Sequence, residues 1–221
     1  MNVRIAGLYA ITPDLADTGD LLRRVRAAFA GGARMLQYRN KTATPALRRT
    51  QAQALQQLCA EFEVPLIIND HLELAIAVSA AGLHLGGDDG DIAAARAQLG
   101  PGKLLGASCY DRIELAQAAI TAGANHIAFG SFFASSVKPD AVRPPLDLIT
   151  RAKQRFGVPV VAIGGITPAN ARQLVAAGVD AVAVISALFD APDIACAAHE
   201  FQTLFESPLF DRHHEKKPEA V

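Results

Sequence analysis

Short β-branched and apolar runs alternate along this chain with longer stretches whose apolar positions recur three and four apart. Gly7 to Thr12 (GLYAIT) predicts a first strand. Leu21, Leu22, Val25, Ala28 and Phe29 then follow at helical spacing until Gly31-Gly32 stops them. Met35 to Arg39 predicts a second strand. Thr44-Pro45 opens the next helix, with a hydroxyl at the N-cap and a proline where its missing N–H costs nothing. Pro65 to Asp70 is a third strand with a helix to Ala81, and Leu83 to Gly86 a fourth with a small helix from Ile92 to Leu99. Leu104 to Ser108 and its helix to Ala122 come next, then His126 to Gly130 as a sixth strand. After a longer loop, 131–143, Pro144-Pro145 starts a helix with Leu146, Ile149 and Phe156 on one face. Pro159 to Gly165 (PVVAIGG), a helix opened by Thr167-Pro168, Ala181 to Ser186 (AVAVIS) and a last helix from Pro192 to Phe205 complete the series.

Eight strand–helix pairs with continuous apolar strands and no hairpin signal predict an α/β fold with a parallel sheet buried on both faces. The (β/α)8 TIM barrel fits that count best, as a single domain over 1–206 followed by a polar tail, 207–221. A doubly wound open sheet is the second choice. The barrel is favoured because polar residues gather at the C-terminal ends of the strands, which a barrel brings to one mouth.

The densest of those ends is Gln37-Tyr38-Arg39-Asn40-Lys41. On an extended segment Gln37, Arg39 and Lys41 point the same way, a comb of donors suited to a small anion such as phosphate. Asn69-Asp70 ends the third strand, and Gly86-Gly87-Asp88-Asp89 follows the fourth. Ser108 ends the fifth, and Ser135, Ser136 and Lys138 lie in the loop after the sixth. Gly164-Gly165 ends the seventh strand, and Ile185-Ser186 the eighth. Each has a plain alternative: a helix cap at Asn69-Asp70, an acidic turn at Asp88-Asp89, a tight turn at Gly164-Gly165. Together they make chemical sense. Asp70 and Asp89 are hard oxygen donors of the kind that hold Mg²⁺ alongside substrate phosphates. Arg39, Lys41 and Lys138 supply positive charge near the same place. Gly164-Gly165 and Ile185-Ser186 resemble the phosphate cradle after the last two strands of barrels. The mouth is thus expected to hold a diphosphate at one end and a monophosphate at the other.

A net charge of −1 and the absence of Trp give nucleic acid no basic stripe or stacking platform. No apolar window is long enough for a membrane span. The N-terminus lacks a signal-peptide pattern, and Cys59, Cys109 and Cys196 have no metal-ligand spacing, so a cytoplasmic protein with packed, reduced thiols is expected. His213-His214 belongs to the polar tail. His126 opens the sixth strand, away from the mouth, where packing or surface exposure is expected. His71 and His84 lie near the proposed site with no chemistry assigned.

With these motifs in order and spacing, the chain resembles the thiamine-phosphate synthase family from Gly7 to Ala187. The resemblance rests on Gln37-Tyr38-Arg39-x-Lys41, Ile68-Asn69-Asp70, Leu83-His84-Leu85-Gly86-x-x-Asp89, Lys138 and Gly164-Gly165-Ile166-Thr167. It implies an enzyme that joins a hydroxymethylpyrimidine diphosphate to a thiazole phosphate, giving thiamine phosphate and pyrophosphate. By that resemblance Gln37, Tyr38, Arg39, Asn40, Lys41, Asn69, Ser108 and Lys138 bind the pyrimidine diphosphate, with Arg39, Lys138 and Ser108 nearest the chemistry. Asp70 and Asp89 hold Mg²⁺. Ser135, Ser136, Val137, Gly165, Ile185 and Ser186 hold the thiazole phosphate. The diphosphate is expected to leave before the thiazole nitrogen attacks, so no general base is required, and the loop 131–143 is long enough to act as a lid. Two departures stand out: Val137 lacks the hydroxyl usual in that loop, and Gly87 replaces a glutamine. Partners are two phosphorylated small molecules, with no nucleic acid or membrane, and homo-oligomer formation is left open. A thiazole tautomerase of the same fold needs neither the carboxylates nor the diphosphate cations. A non-catalytic phosphate-binding barrel predicts binding without turnover.

Overall fold

The computed structural model describes residues 4–87, 89–134 and 142–206. Asp88, the segment 135–141 and the tail 207–221 lie outside the described residues, and with them the expected ligands Ser135, Ser136, Val137 and Lys138 and most of the expected lid.

Eight parallel strands close into a barrel in chain order. They are β1 (Gly7–Ile11), β2 (Met35–Tyr38), β3 (Leu66–Asn69), β4 (Gly82–Leu85), β5 (Leu104–Tyr110), β6 (His126–Phe129), β7 (Val160–Ile163) and β8 (Ala181–Val184). The helices are α1 (Thr18–Ala30), α2 (Pro45–Glu61), α3 (Leu72–Ala77), α4 (Ile92–Leu99), α5 (Ile113–Thr121), α6 (Asp147–Arg155), α7 (Pro168–Ala176), α8 (Ser186–Phe189) and α9 (Ile194–Thr203). The expected TIM barrel is therefore met. β1 pairs with both β2 and β8, so the sheet has no free edge.

Side-chain alternation divides the interior into two cores. Leu8, Ala10, Leu36, Ile68, Leu83, Leu105, Ile127, Val160 and Val182 point outward and pack under the helices. Tyr9, Ile11, Met35, Ile67, Ala128, Val161, Ala181 and Ala183 point inward and fill the barrel. Because both parities are apolar in most strands, the strands read as continuous hydrophobic runs. The few inward positions that are polar stand at the mouth or just beneath it.

Helix starts follow their caps. Thr44 accepts from Leu47 N–H ahead of Pro45, and Thr167 with Asn170 forms a reciprocal capping box ahead of Pro168. Several boundaries differ from the periodicity, β7 and α9 among them by being shorter at both ends, and four others have a visible cause. α3 ends at Ala77, because Ser79 turns into the left-handed region at φ 55° and Ala80 heads into β4. β5 runs on to Tyr110 through an irregular register with β6. α6 begins at Asp147, after a turn closed by Leu148 N–H on the Pro145 carbonyl. β8 stops at Val184, and Ser186 opens the short helix α8 instead of prolonging the strand.

Candidate active site

A cavity of about 1100 Å³ opens at the C-terminal ends of the strands. That is at the upper end of the volumes of small-molecule sites. Its floor is the inward apolar layer, including Ile11, Val161 and Ile163, and its rim carries the polar residues.

Gln37, Arg39 and Lys41 all line this cavity, as the two-residue alternation requires. Gln37 is buried, with its Nε2 donating to the Tyr9 hydroxyl at 2.9 Å. Arg39 is held by its backbone: its N–H donates to Thr12 Oγ1 at 2.9 Å, and that hydroxyl donates to the Arg39 carbonyl at 2.8 Å. Asp14 steadies the pair, accepting from Lys41 N–H at 2.9 Å and lying 3.5 Å from the Arg39 guanidinium.

The alternate residues of the same stretch go elsewhere. Tyr38 is buried toward α2, its hydroxyl donating to Gln51 Oε1 at 2.8 Å. Asn40 is also buried; its Nδ2 donates to the Leu15 carbonyl and Gln51 Oε1, and its Oδ1 accepts from Thr42 and Ala43. The structure does not bring Tyr38 or Asn40 into the cavity, because an extended chain presents only every second side chain to one face. Their work is to fix the loop that carries Arg39 and Lys41.

Asn69, Asp70 and Asp89 line the cavity beside Lys41. Asp70 leaves β3 in the left-handed region at φ 61°, which a short polar side chain tolerates better than most. Asn69 Nδ2 donates to Asp70 Oδ2 at 2.5 Å. Burial raises the Asp70 carboxyl above its ordinary range. Asp89 raises it further, by repulsion and by a hydrogen bond between the two carboxyls, while Lys41 and Arg39 pull it back in part. Asp89 reaches this position because Gly86 has no side chain: a Cβ there would collide with the Asp89 carboxylate. Two crowded carboxylates on a partly buried wall are a donor set that suits a small hard cation, so the residues present fit Mg²⁺.

At the other end, Gly164, Gly165, Ile185 and Ser186 line the same cavity. Gly165 sits at φ 62°, and a Cβ on it would collide with the Ala134 carbonyl. Phe132 and Phe133 donate backbone N–H bonds to Ile163 and Gly164, so the start of the β6 loop is laced to the end of β7. Ser108 lines the wall between the two ends and pairs with His84 Nε2 at 2.9 Å.

The family model for thiamine monophosphate synthase matches residues 8–188. The chain belongs to that family. A thiamine-phosphate synthase of Methylobacillus flagellatus is 54% identical over 201 residues, covering 91% of this chain and 96% of its own length. One from Thiobacillus denitrificans is 53% identical, over 90% of this chain and 94% of its own. A solved thiamine phosphate pyrophosphorylase from Pyrococcus furiosus superposes with a TM-score of 0.81 at 33% identity, over 92% of this chain and 96% of that one. The chain is accordingly an enzyme, a transferase of the thiamine-phosphate synthase type.

Within this family member, several cavity residues carry no motif that sequence reasoning caught. Arg112 adds a cation to the rim from the end of β5, and Tyr110 accepts the Gly87 N–H at 3.2 Å, where the expected glutamine is missing. Asp14 and Tyr9 support the first ligand comb. The signal available for Asp14, Tyr110 and Arg112 was position alone, at or just beyond a strand end, while Tyr9 lies inside β1.

Proposed function

We propose that the enzyme condenses an aminopyrimidine methyl diphosphate with a thiazole phosphate, with Mg²⁺ held by Asp70 and Asp89. The observation that carries the reading is one cavity with two different anion-suited ends: Arg39, Lys41, Asp70 and Asp89 on one side, Gly164, Gly165, Ile185 and Ser186 on the other. When bound, Mg²⁺ supplies charge neutralisation on the diphosphate oxygens as the leaving group departs.

The chain's own residues do the rest. Arg39 and Lys41 draw the diphosphate to the β2 end, and Arg39 is preset by Thr12 and Asp14, so little reorganisation is needed as negative charge develops. The apolar floor of Ile11, Val161 and Ile163 keeps water from a reactive pyrimidine-methyl cation. The glycines after β7 let backbone N–H groups approach the thiazole phosphate, which sets the nucleophilic ring nitrogen toward the cation. No general base is required, because that nitrogen already carries a lone pair. The carried-over ligands Ser135, Ser136, Val137 and Lys138 belong to the same proposal. Free cysteines, two of them buried with thiols pushed up to about 12, fit a reducing cytoplasm. No helix among the described residues is long and apolar enough to cross a membrane.

A turnover assay with both phosphorylated substrates tests the proposal, comparing Mg²⁺ with EDTA and wild type with Asp70→Ala. Thiamine phosphate formed with Mg²⁺, and lost with either change, is the expected result. Binding of the thiazole phosphate without condensation would overturn it in favour of an isomerase.

A further inference from the structure

Tyr110 ends β5 in a conformation that its side chain does not favour. Its φ is 53°, in the left-handed region, where a bulky aromatic residue is strained. The chain turns there. Arg112 N–H donates to the Cys109 carbonyl at 2.9 Å, which makes Tyr110 the second residue of a tight turn. With a positive φ, that place suits glycine, asparagine or aspartate. β5 also carries one residue more than β6 at this point, since Ser108 pairs with Ala128 and Tyr110 with Phe129. Core packing does not hold the ring, because Tyr110 is 36% exposed. Strain of this kind persists where surrounding contacts fix it, and it points to a task.

The ring meets the neighbouring turn, the one that follows β4. Its hydroxyl accepts the Gly87 N–H at 3.2 Å. Gly87 leaves room for that contact: a Cβ there would lie 3.0 Å from the ring Cε2 and 3.1 Å from the hydroxyl oxygen. A side chain at 87 would push the ring off the amide that it holds. The same turn carries Asp89. Asp89 N–H donates to the Gly86 carbonyl at 3.3 Å, and its carboxylate folds back over Gly86 to meet Asp70. Two carboxylates brought together repel, and the bond that closes the turn is long. Holding Asp89 there calls for a restraint from outside the turn, and the Tyr110 hydroxyl supplies one from β5.

We propose that Tyr110 and Gly87 are a matched pair, in which the phenol clamps the turn after β4 and holds the Asp89 carboxylate beside Asp70 before any cation arrives. The cation, Mg²⁺, rests on the function proposed above, whereas the clamp stands on the contact between Tyr110 and Gly87. Tyr110 acts through Gly87 and Asp89 and is a positioning residue. A site set in advance binds its ion without first having to order a loop. The strained end of β5 thus exchanges some stability for order at the metal site.

Mn²⁺ binding to the full chain, followed by the electron paramagnetic resonance signal of free Mn²⁺, tests this without turnover, since Mn²⁺ suits the same oxygen ligands. Tyr110→Phe keeps the ring and removes the acceptor. It is expected to weaken Mn²⁺ binding about fivefold, the loss of one hydrogen bond of ordinary strength, and to keep the melting temperature in EDTA within about 2 °C. Gly87→Ala, which displaces the ring, is expected to give the same loss, and the two changes together no more than either alone. Unchanged binding in Tyr110→Phe, or losses that add in the double variant, overturn the proposal. Tyr110→Gly relieves the strained φ and is expected to weaken binding at least as much without lowering the melting temperature. Lost stability with binding intact is what a merely structural tyrosine would give, and it overturns the clamp. If wild type binds no Mn²⁺, the metal reading fails separately. Hydrogen exchange at the Gly87 and Asp89 amides then decides: slower exchange in wild type than in Tyr110→Phe supports the clamp, and equal rates overturn it.

Discussion

Arg39 and Asn40 are neighbours in sequence with separate work in space, and their variants should fail differently. Asn40 is buried with its amide bonded on both sides, so Asn40→Ala leaves the Thr42 and Ala43 N–H groups without that acceptor and takes one of two donors from the Leu15 carbonyl, which keeps Gln51 Nε2. A loss of about 2–3 kcal/mol of stability is expected, read as a lower denaturation midpoint. Arg39 points into the cavity and is anchored mainly by its backbone. Arg39→Ala is expected to keep the melting temperature within about 2 °C while raising KM for the diphosphate substrate at least tenfold, the cost of a charge-assisted contact. Asp70 adds a metal-dependent test. A carboxyl raised by the fold contributes stability that is present below the ordinary value near 3.8 and is lost as pH rises through the folded value. At neutral pH without metal, Asp70 therefore opposes folding. Asp70→Asn is expected to melt at or slightly above wild type in EDTA. Mg²⁺ should raise the wild-type melting temperature and leave that of the variant unchanged. A Mg²⁺ shift that survives Asp70→Asn would remove the residue from the metal site.

At the scale of elements, the turn after β4 brings the Asp89 carboxylate beside Asp70 through a residue with no side chain. Gly86→Ala would drive a methyl group into the Asp89 carboxylate. With Asp89 as the proposed ligand, the expected outcome is a 10- to 100-fold weaker apparent affinity for Mg²⁺, of the order seen when the support of a metal ligand is disturbed. It is read from the Mg²⁺ dependence of turnover, with the barrel still cooperatively folded. The barrel itself was legible because each of its elements announces itself locally: apolar runs for the strands, spacing plus Thr44-Pro45 and Thr167-Pro168 for the helices. The comb of Gln37, Arg39 and Lys41 was legible for the same reason, since parity along a strand is a local rule. What was not legible depends on contacts remote in sequence. Tyr38 and Asn40 are claimed by Gln51 on the next helix, which no local pattern reveals. Four residues of α8 are too few for any periodicity to separate them from the apolar run of β8. Asp14 and Arg112 stand beyond strand ends with no repeat to mark them. His126, expected to pack or lie exposed, is enclosed inside the barrel against Gly106, and only the register of three strands discloses its partner.

At the scale of the whole molecule, the buried histidines give the barrel an acid limit. An imidazole whose pKa is depressed by the fold contributes stability that is fully present above the unfolded value of about 6.5 and is lost as pH falls through the folded value. For His84 and His126 the folded values are about 4 and about 3, so the window runs from about 6.5 down to about 3. The linkage relation assigns about 3 kcal/mol to His84 and about 4 kcal/mol to His126 across it. That is a large share of a domain's net stability of about 5–15 kcal/mol. Asp70 works in the opposite direction, since acid relieves its repulsion with Asp89, but it is one half-exposed group against two enclosed rings. Stability measured by urea titration is therefore expected to fall steeply between pH 6.5 and 4. His126→Gln, which keeps a polar side chain but does not titrate, is expected to remove about half of that fall whatever it does to stability at pH 7. A slope unchanged by the substitution would mean that the His126 ring is already charged inside the barrel and that burial does not hold it neutral.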